Sequence, residues 1–367
     1  MTLVLDGQKL QWHKDRVASW LRGERIAPIT IETALTRSCN FSCQYCYGKL
    51  QVNEIKHMTW DIIRNFLEDA KEIGVKSVNF TGDGESTCSP YFSKAIIYGN
   101  HIGLDMAVGT NLSLLTEKEL ELILPCLTYI RVNISAADSN SYSIVHGTSE
   151  GNFYKVIANI KACVKFKKLY KLPVTIGLQM VLMPDLWEQV IPLAKLGRSL
   201  EVDYLVIKHC SDDEFGSLGI DYSKYDKLID LLKETETYST STYSVQAKWS
   251  KILSGGKRSY SQCYGPPFML QMSGSGLVAP CGMLFNDRYK ELYHIGNIAE
   301  TRFKDIFNSD RYWEVMDRIA SDKFDAHTMC GSLCFQHKAN EYLWGLKKGM
   351  INLEKPKGEK PQHINFV

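Results

Sequence analysis

An α/β barrel, or part of one, is the architecture this sequence predicts, and three observations carry that reading. From about residue 30 onward, short apolar runs rich in Val and Ile alternate with segments of helical period. The runs are short enough for strands, while the segments between them are long enough to cross over a sheet. Repeated β-α units of this kind build a parallel sheet with right-handed connections, and put the active site on the loops after the strands' C-terminal ends.

In order along the chain, residues 2–13 carry two extended runs around Asp6-Gly7, a hairpin signal, and 14–22 reads as a short amphipathic helix. Together, residues 1–29 form an N-terminal extension. Six strands are expected within 29–36, 77–82, 105–110, 129–135, 174–182 and 203–209. Crossover helices are expected over 59–73, 90–101, 115–125, 151–169 and 186–199, and a further helix near 222–235 ends a barrel unit at 30–236. The Ser/Thr/Tyr-rich stretch 236–249 reads as a connection. Residues 250–340 hold Pro, Gly and four cysteines with little periodicity, which suggests a small metal-stapled unit, and 341–367 begins helical and ends in an extended tail.

The chain has 367 residues, 44% of them hydrophobic and 23% charged, enough for a large core. A net charge of +2 without a basic stripe makes nucleic acid an unexpected partner. No window approaches a bilayer span and no secretory signal opens the sequence, so a cytoplasmic protein without membrane contact is expected. In that setting eleven cysteines point to metal ligands or catalytic groups rather than disulfides.

Cys39, Cys43 and Cys46 follow the first strand at CxxxCxxC spacing. Three soft thiolates on one loop can hold three irons of a [4Fe–4S] cubane and leave the fourth open to chemistry; a zinc knuckle is the alternative, although it needs a fourth ligand nearby. With Tyr45 before the last cysteine, this loop resembles that of the radical S-adenosylmethionine (SAM) superfamily over about residues 30–215. The resemblance implies a partial (β/α)6 TIM-like radical SAM barrel, a cluster whose open iron is chelated by SAM, and a 5′-deoxyadenosyl radical that abstracts hydrogen from substrate. It also implies SAM contacts. Gly82-Asp83-Gly84-Glu85 is similar to the family's GGE motif, with Asp83 in place of a glycine, and Glu85 keeps the charge that meets the SAM ammonium. Asn111, next to Thr110, and then Asn133, Ser135 and Gln179 stand at strand ends where the family binds SAM, alongside Tyr45.

Cys263, Gly276 and Cys281 follow a C-x12-G-x4-C pattern, and Cys330-x3-Cys334 comes about fifty residues later. Four thiolates complete a cubane or a tetrahedral zinc. The pattern, with residues 295–309 after it, resembles the SPASM or twitch extension. A full SPASM unit carries more cysteines and two clusters, so one auxiliary [4Fe–4S] cluster is expected, with structural zinc as the alternative.

Cys126 and Cys163 read as small buried hydrophobes. Cys88 and Cys210 are expected near the barrel mouth as candidate hydrogen-atom donors, and Lys208 and Asp212, with His209 and Asp213, as candidate substrate contacts or proton acceptors. By resemblance, an external donor such as flavodoxin or ferredoxin supplies the electron. The first expectation for the reaction is oxidation of a small hydroxylated, sugar- or aminocyclitol-like substrate with the auxiliary cluster as electron acceptor. Modification of a ribosomally made peptide stays open, as does a redox-neutral rearrangement, epimerisation or nucleoside modification. A two-zinc binding module and an inactive iron–sulfur carrier are the readings outside this class.

Overall fold

A computed structural model describes residues 3–255, 257–332 and 334–367. Residue 2, where the expected N-terminal hairpin would begin, lies outside them. Residues 3–13 contain no strand; a short 3-10 turn over Leu10–His13 leads into α1 (Lys14–Leu21). Leu10 and Val17 are buried there with Ile29, Phe268 and Leu343, so this segment seals one side of the barrel instead of forming a hairpin.

The six expected strands are present: β1 (Thr30–Thr33), β2 (Ser77–Phe80), β3 (Asp105–Thr110), β4 (Leu127–Asn133), β5 (Thr175–Leu182) and β6 (Tyr204–His209). Their connections hold α2 (Trp60–Ile73), α3 (Phe92–His101), α4 (Glu117–Ile123), α5 (Ser139–His146), α6 (Glu150–Leu169) and α7 (Val190–Ser199). Local chemistry sets the helix ends. The Thr59 side chain accepts from the Ile62 amide to cap α2, and Gly74 closes it at φ 101. Thr116 and Glu119 form a capping box on α4.

Beyond α8 (Ile229–Glu236) the structure departs from expectation. The stretch read as a connection contains β7 (Ser244–Ala247), which extends the sheet beside β6, followed by α9 (Trp249–Ile252). The cysteine-rich region is not a separate staple either. Its β8 (Met269–Met272) pairs in parallel with β1, and β9 (Leu277–Ala279) and β10 (Gly296–Asn297) add two antiparallel strands. The result is a ten-stranded sheet in the order β10-β9-β8-β1-β2-β3-β4-β5-β6-β7, with eight parallel strands at its centre. Helices α10 (Lys290–Tyr293), α11 (Phe303–Asn308), α12 (Asp310–Ile319) and α13 (His337–Lys347) complete the described chain. The buried Asp69 carboxylate on α2 fastens α11 by accepting 2.9 Å from Arg302 Nε.

Side chains alternate across each strand. Ile31, Val78, Val108, Ile130, Ile176 and Leu205 pack in the main core, while the intervening residues line the inner face. That face is polar. Asn79 Nδ2 and Gln271 Nε2 donate to Glu32 at 2.8 and 3.2 Å, and Gln179 Nε2 donates to Asn133 Oδ1 at 2.7 Å.

The strands' N-terminal end of this lumen is closed by residues 363–367, expected as an extended tail. Thr30 and Ser77 hydroxyls both donate 2.6 Å to the Asn365 carbonyl, Asn365 Nδ2 donates 2.7 Å to Asp105, and the Phe366 ring meets Tyr129 at 5.0 Å. Deleting residues 363–367 strips a buried aromatic and leaves inner hydroxyls without acceptors; the expected cost is roughly 3 kcal/mol, checked as a lower denaturation midpoint in urea.

Candidate active site between two cysteine sets

The loop after β1 carries Cys39, exposed, and Cys43 and Cys46, half-buried. Two backbone bonds hold it on the end of α5: Ser42 N donates to His146 O at 3.1 Å and Gln44 N to Val145 O at 2.9 Å. Burial, then nearby anionic groups, push the Cys39 thiol up to about 11 and the Cys43 thiol up to about 12. The three thiols therefore lie within electrostatic reach of one another.

His146, on α5, is buried behind them, and its tautomer follows from its partners. The Ser135 amide donates 3.1 Å to Nε2, so the ring proton sits on Nδ1, which lies 3.4 Å from both Cys43 Sγ and Tyr45 Oη. Tyr45, expected at the cofactor, instead sets its hydroxyl against this histidine. A proton held toward Cys43 stabilises a more negative sulfur environment, so His146→Leu is expected to shift any cluster on this loop to a lower reduction potential. One hydrogen bond of about 1 kcal/mol corresponds to roughly 40 mV for one electron, measurable by EPR-monitored redox titration.

The loop after β2 lies against the cysteine loop because two glycines leave room. A Cβ on Gly82 would meet Ala34 N at 2.7 Å, and one on Gly84 would meet Thr36 O at 2.0 Å. Glu85 is buried and held in place. Its Oε1 accepts from Thr87 N at 3.1 Å and from the Thr87 and Thr110 hydroxyls at 2.8 Å each, and its Oε2 accepts from Asn111 N at 2.7 Å. Oε2 thus keeps one acceptor position for a cationic ligand. Asp83 is a correction. Its carboxylate does not face this site but ties the β8–β9 hairpin to the barrel, accepting from Ser273 Oγ at 2.5 Å and Gly274 N at 2.8 Å and lying 3.2 Å from Arg37 Nε.

Asn111 Nδ2 donates 2.9 Å to Asn40 on the cysteine loop, and Ser135 Oγ accepts from Val181 N at 3.2 Å. Cys88, half-buried, lies close enough to Glu85 and Cys39 to feel their charge. Cys210 is fully buried and electrostatically coupled to Lys208 and Cys46. Asp212 is a second correction. Its Oδ1 accepts from the amides of Asp213 at 2.8 Å and Leu218 at 2.9 Å, and its Oδ2 lies 3.0 Å from the latter amide. It caps its own loop and is not placed as a base.

Lys208 faces the lumen. Burial first, then Lys251 and Arg131, draw its amine down to about 7. Two other lysines of this end, Lys248 and Lys251, are lowered for the same leading reason.

Cys263, Cys281, Cys330 and Cys334 are brought together. Each of Cys263, Cys281 and Cys330 is raised by burial and then by other members of the set. Asn340 Nδ2 on α13 donates 3.3 Å to Cys263 Sγ. Tyr47 joins the two sets: it directly follows Cys46, its hydroxyl donates to Met283 Sδ, and it feels Cys281 and Cys330.

In neither set do three side chains close on a single point among the described residues. The all-thiol donor sets suit iron–sulfur chemistry, in which each iron of a cubane takes one thiolate. The first set would leave one iron open and the second would leave none.

Sequence reasoning missed His146, Arg131, Tyr47, Lys248 and Lys251. The signal for Arg131 was present: in 129–135 it occupies an inner-face position between two outward apolar residues. His146 is 103 positions from Cys43, and nothing local announces it.

Residues 33–196 match the model of the radical SAM superfamily, and residues 263–335 match that of an iron-sulfur cluster-binding domain, SPASM. The chain carries a radical SAM domain followed by a C-terminal SPASM iron–sulfur domain. Among curated relatives, the tungsten-containing aldehyde ferredoxin oxidoreductase cofactor-modifying protein of Pyrococcus furiosus is 24% identical over 303 residues, 76% of this chain and 80% of that protein. The AdoMet-dependent heme synthase of Methanosarcina barkeri is 23% identical over 304 residues, 77% and 83% of the two chains. The crystal structure of Streptococcus suis SuiB bound to precursor peptide SuiA superposes with a TM-score of 0.63 at 16% identity, covering 88% of this chain and 75% of that one, a likeness of fold. A radical SAM protein of this kind uses SAM and a [4Fe–4S] cluster, with auxiliary iron–sulfur binding in the SPASM region. No helix among the described residues is long and apolar enough to cross a membrane.

Proposed function

We propose that this radical SAM protein oxidises a small polar substrate held in the barrel lumen between its two cysteine sets. The observation that carries the reading is Lys208: a lumen-facing amine drawn down to about 7, within electrostatic reach of Cys210, at the C-terminal end of β6. An amine in that range accepts a proton at neutral pH.

When bound, SAM and the clusters supply hydrogen-atom abstraction, fed by an external one-electron donor, and an acceptor for the second electron. The residues of the chain do the remainder. Cys39, Cys43 and Cys46 hold the SAM-side cluster; Cys263, Cys281, Cys330 and Cys334 hold the auxiliary one. Glu85 offers its open Oε2 to the SAM ammonium, with Gly82, Gly84, Asn111, Asn133, Ser135 and Gln179 around the cofactor. The Glu32–Asn79–Gln271 network offers hydrogen bonds to substrate polar groups. Lys208 takes the substrate proton, which with the hydrogen atom and one electron completes a two-electron oxidation.

Lys208→Met tests this assignment. The variant is expected to form 5′-deoxyadenosine with dithionite and SAM at close to the wild-type rate, while product formation drops by about 100-fold, the lower range for a general base. Unchanged product formation would remove Lys208 from the mechanism.

A peptide substrate is the second reading, favoured by the likeness to SuiB and by the PqqA peptide cyclase of Bradyrhizobium diazoefficiens, 24% identical over 152 residues and 38% of that protein. Stimulation of 5′-deoxyadenosine formation by a peptide fraction of cell extract, and not by its small-molecule fraction, would favour it.

A further inference from the structure

Four cationic side chains on the β4–β7 side of the sheet lie within electrostatic reach of one another: Arg131 on β4, Lys208 on β6, Lys248 directly after β7 and Lys251 on α9. Lys248 N donates 2.8 Å to Ile207 O, which continues the ladder and sets Lys248 beside Lys208. Beyond burial, Lys208 is depressed by Lys251 and Arg131, Lys248 by Lys251, Arg131 and Lys208, and Lys251 by Arg131, so the group is mutually repelling.

The carboxylates that act on the lysines are Glu32 and Asp6, and the hydrogen bonds they accept come from neutral groups. Glu32 accepts from Asn79 and Gln271, and Asp6 accepts from the amide of Ser250 at 2.7 Å and from its hydroxyl. Below the group, Lys9 adds a further positive charge but spends its amine on the backbone carbonyls of His363 and Phe366. Lys251 has Cys334 as its foremost negative neighbour, so part of its charge belongs to the auxiliary thiolates. That leaves Arg131 and Lys248, Lys208 being the proton acceptor, and Arg131 Nε is buried without an acceptor. A buried donor of this kind costs free energy unless something fills the place.

We propose that Arg131 and Lys248, with Lys251 beside them, seat an anionic group of the substrate, a carboxylate or a phosphate. The proposal rests on the reading of the lumen as the substrate site and narrows it: the substrate is negatively charged, and its anion anchors it on the β4–β7 side of the barrel. Arg131 supplies a planar fork that fits either anion, and the lysines supply point charges. Bringing the anion in relieves the repulsion among the cations, so charge is selected as well as shape.

The test is isothermal titration of the anaerobically reconstituted holoenzyme, in low-chloride buffer with saturating SAM, using inorganic phosphate in one arm and succinate in the other. Binding at one site with a Kd near 1 mM or tighter is expected for at least one probe, and the tighter of the two names the class. Arg131→Gln and Lys248→Gln should each weaken it about tenfold or more, while Lys248→Arg, which keeps the charge, should restore it. Absence of binding by the wild type would overturn the proposal, as would wild-type affinity in both glutamine variants. Binding seen without SAM but abolished by it would assign the cations to the SAM carboxylate and overturn it equally. A 5′-deoxyadenosine assay on the same sample separates the two levels: failure there with anion binding intact removes the radical reading alone, and the converse removes the anion seat alone.

Discussion

Gly84→Ala is expected to lower 5′-deoxyadenosine formation by at least 100-fold and to leave the SAM-side cysteines poorly loaded with iron. The reason is steric and local. A Cβ at Gly84 would lie 2.0 Å from the Thr36 carbonyl oxygen and 2.8 Å from Arg37 Cα and C. These are backbone atoms, with no flexible side-chain end to yield. The neighbour that must move is the segment leading from β1 to Cys39, so a displacement on the order of 1 Å passes directly to the first ligand. Overpacking of this kind costs about 1–3 kcal/mol, and misplacing reacting groups by about 1 Å costs on the order of 100-fold in rate. Gly151→Ala is the control: its nearest neighbour to a new Cβ is Ser149 Oγ at 3.9 Å, and it should behave as wild type. Measuring iron content and deoxyadenosine yield on the pair checks the claim; a fully active Gly84→Ala protein would mean the two loops are not in the contact described.

The fold is expected to be acid-labile well above the carboxylate range, because three histidines are buried neutral. His146, His209 and His363 are each lowered to about 3, burial leading in every case, with Lys251 adding to the effect at His209 and Lys9 and Lys167 at His363. All three have folded values below the unfolded one of about 6.5. Between those limits the unfolded chain binds more protons than the folded one, so stability rises with pH there and is lost as pH falls below about 6.5. Each histidine contributes up to about 1.4 kcal/mol per pH unit, giving on the order of 4 kcal/mol per unit for the three together. Urea midpoints measured from pH 7.5 down to 5 should show this slope. His363→Gln, which keeps a polar group near Thr175 but cannot take a proton, should remove about a third of it. A flat profile over that range would show that these rings are hydrated or already charged in the folded state.

Most of the barrel was legible because its first six strands are runs of four or more residues rich in Val and Ile, separated by helical periods. β7 is a four-residue Ser-Val-Gln-Ala segment inside a polar stretch, and its strand character comes from pairing with β6. β8 lay hidden because its partner, β1, is more than 230 positions away. The cysteine sets were legible for the opposite reason: thiol spacing is local, and few other arrangements need it. What spacing could not show is who stands behind the ligands. Asp83 read only as a departure within a SAM-binding motif and Asp212 as a candidate proton acceptor, yet backbone amides and neighbouring loops take up their oxygens. His146 and the cations of the lumen emerge only when the strands are assembled and inner-face positions from different strands come near one another.

The central claim is that two separate thiol sets, one open to SAM and one closed, serve a single lumen. The most direct measurement is iron and sulfide content after anaerobic reconstitution, followed in the same sample by 5′-deoxyadenosine formation from SAM under dithionite, for wild type, Cys43→Ala and Cys281→Ala. About eight irons in the wild type, with deoxyadenosine lost in Cys43→Ala and retained in Cys281→Ala, is the predicted result, since a [4Fe–4S] cubane accounts for about four irons at each set. About four irons in the wild type, or deoxyadenosine formed undiminished by Cys43→Ala, would contradict it.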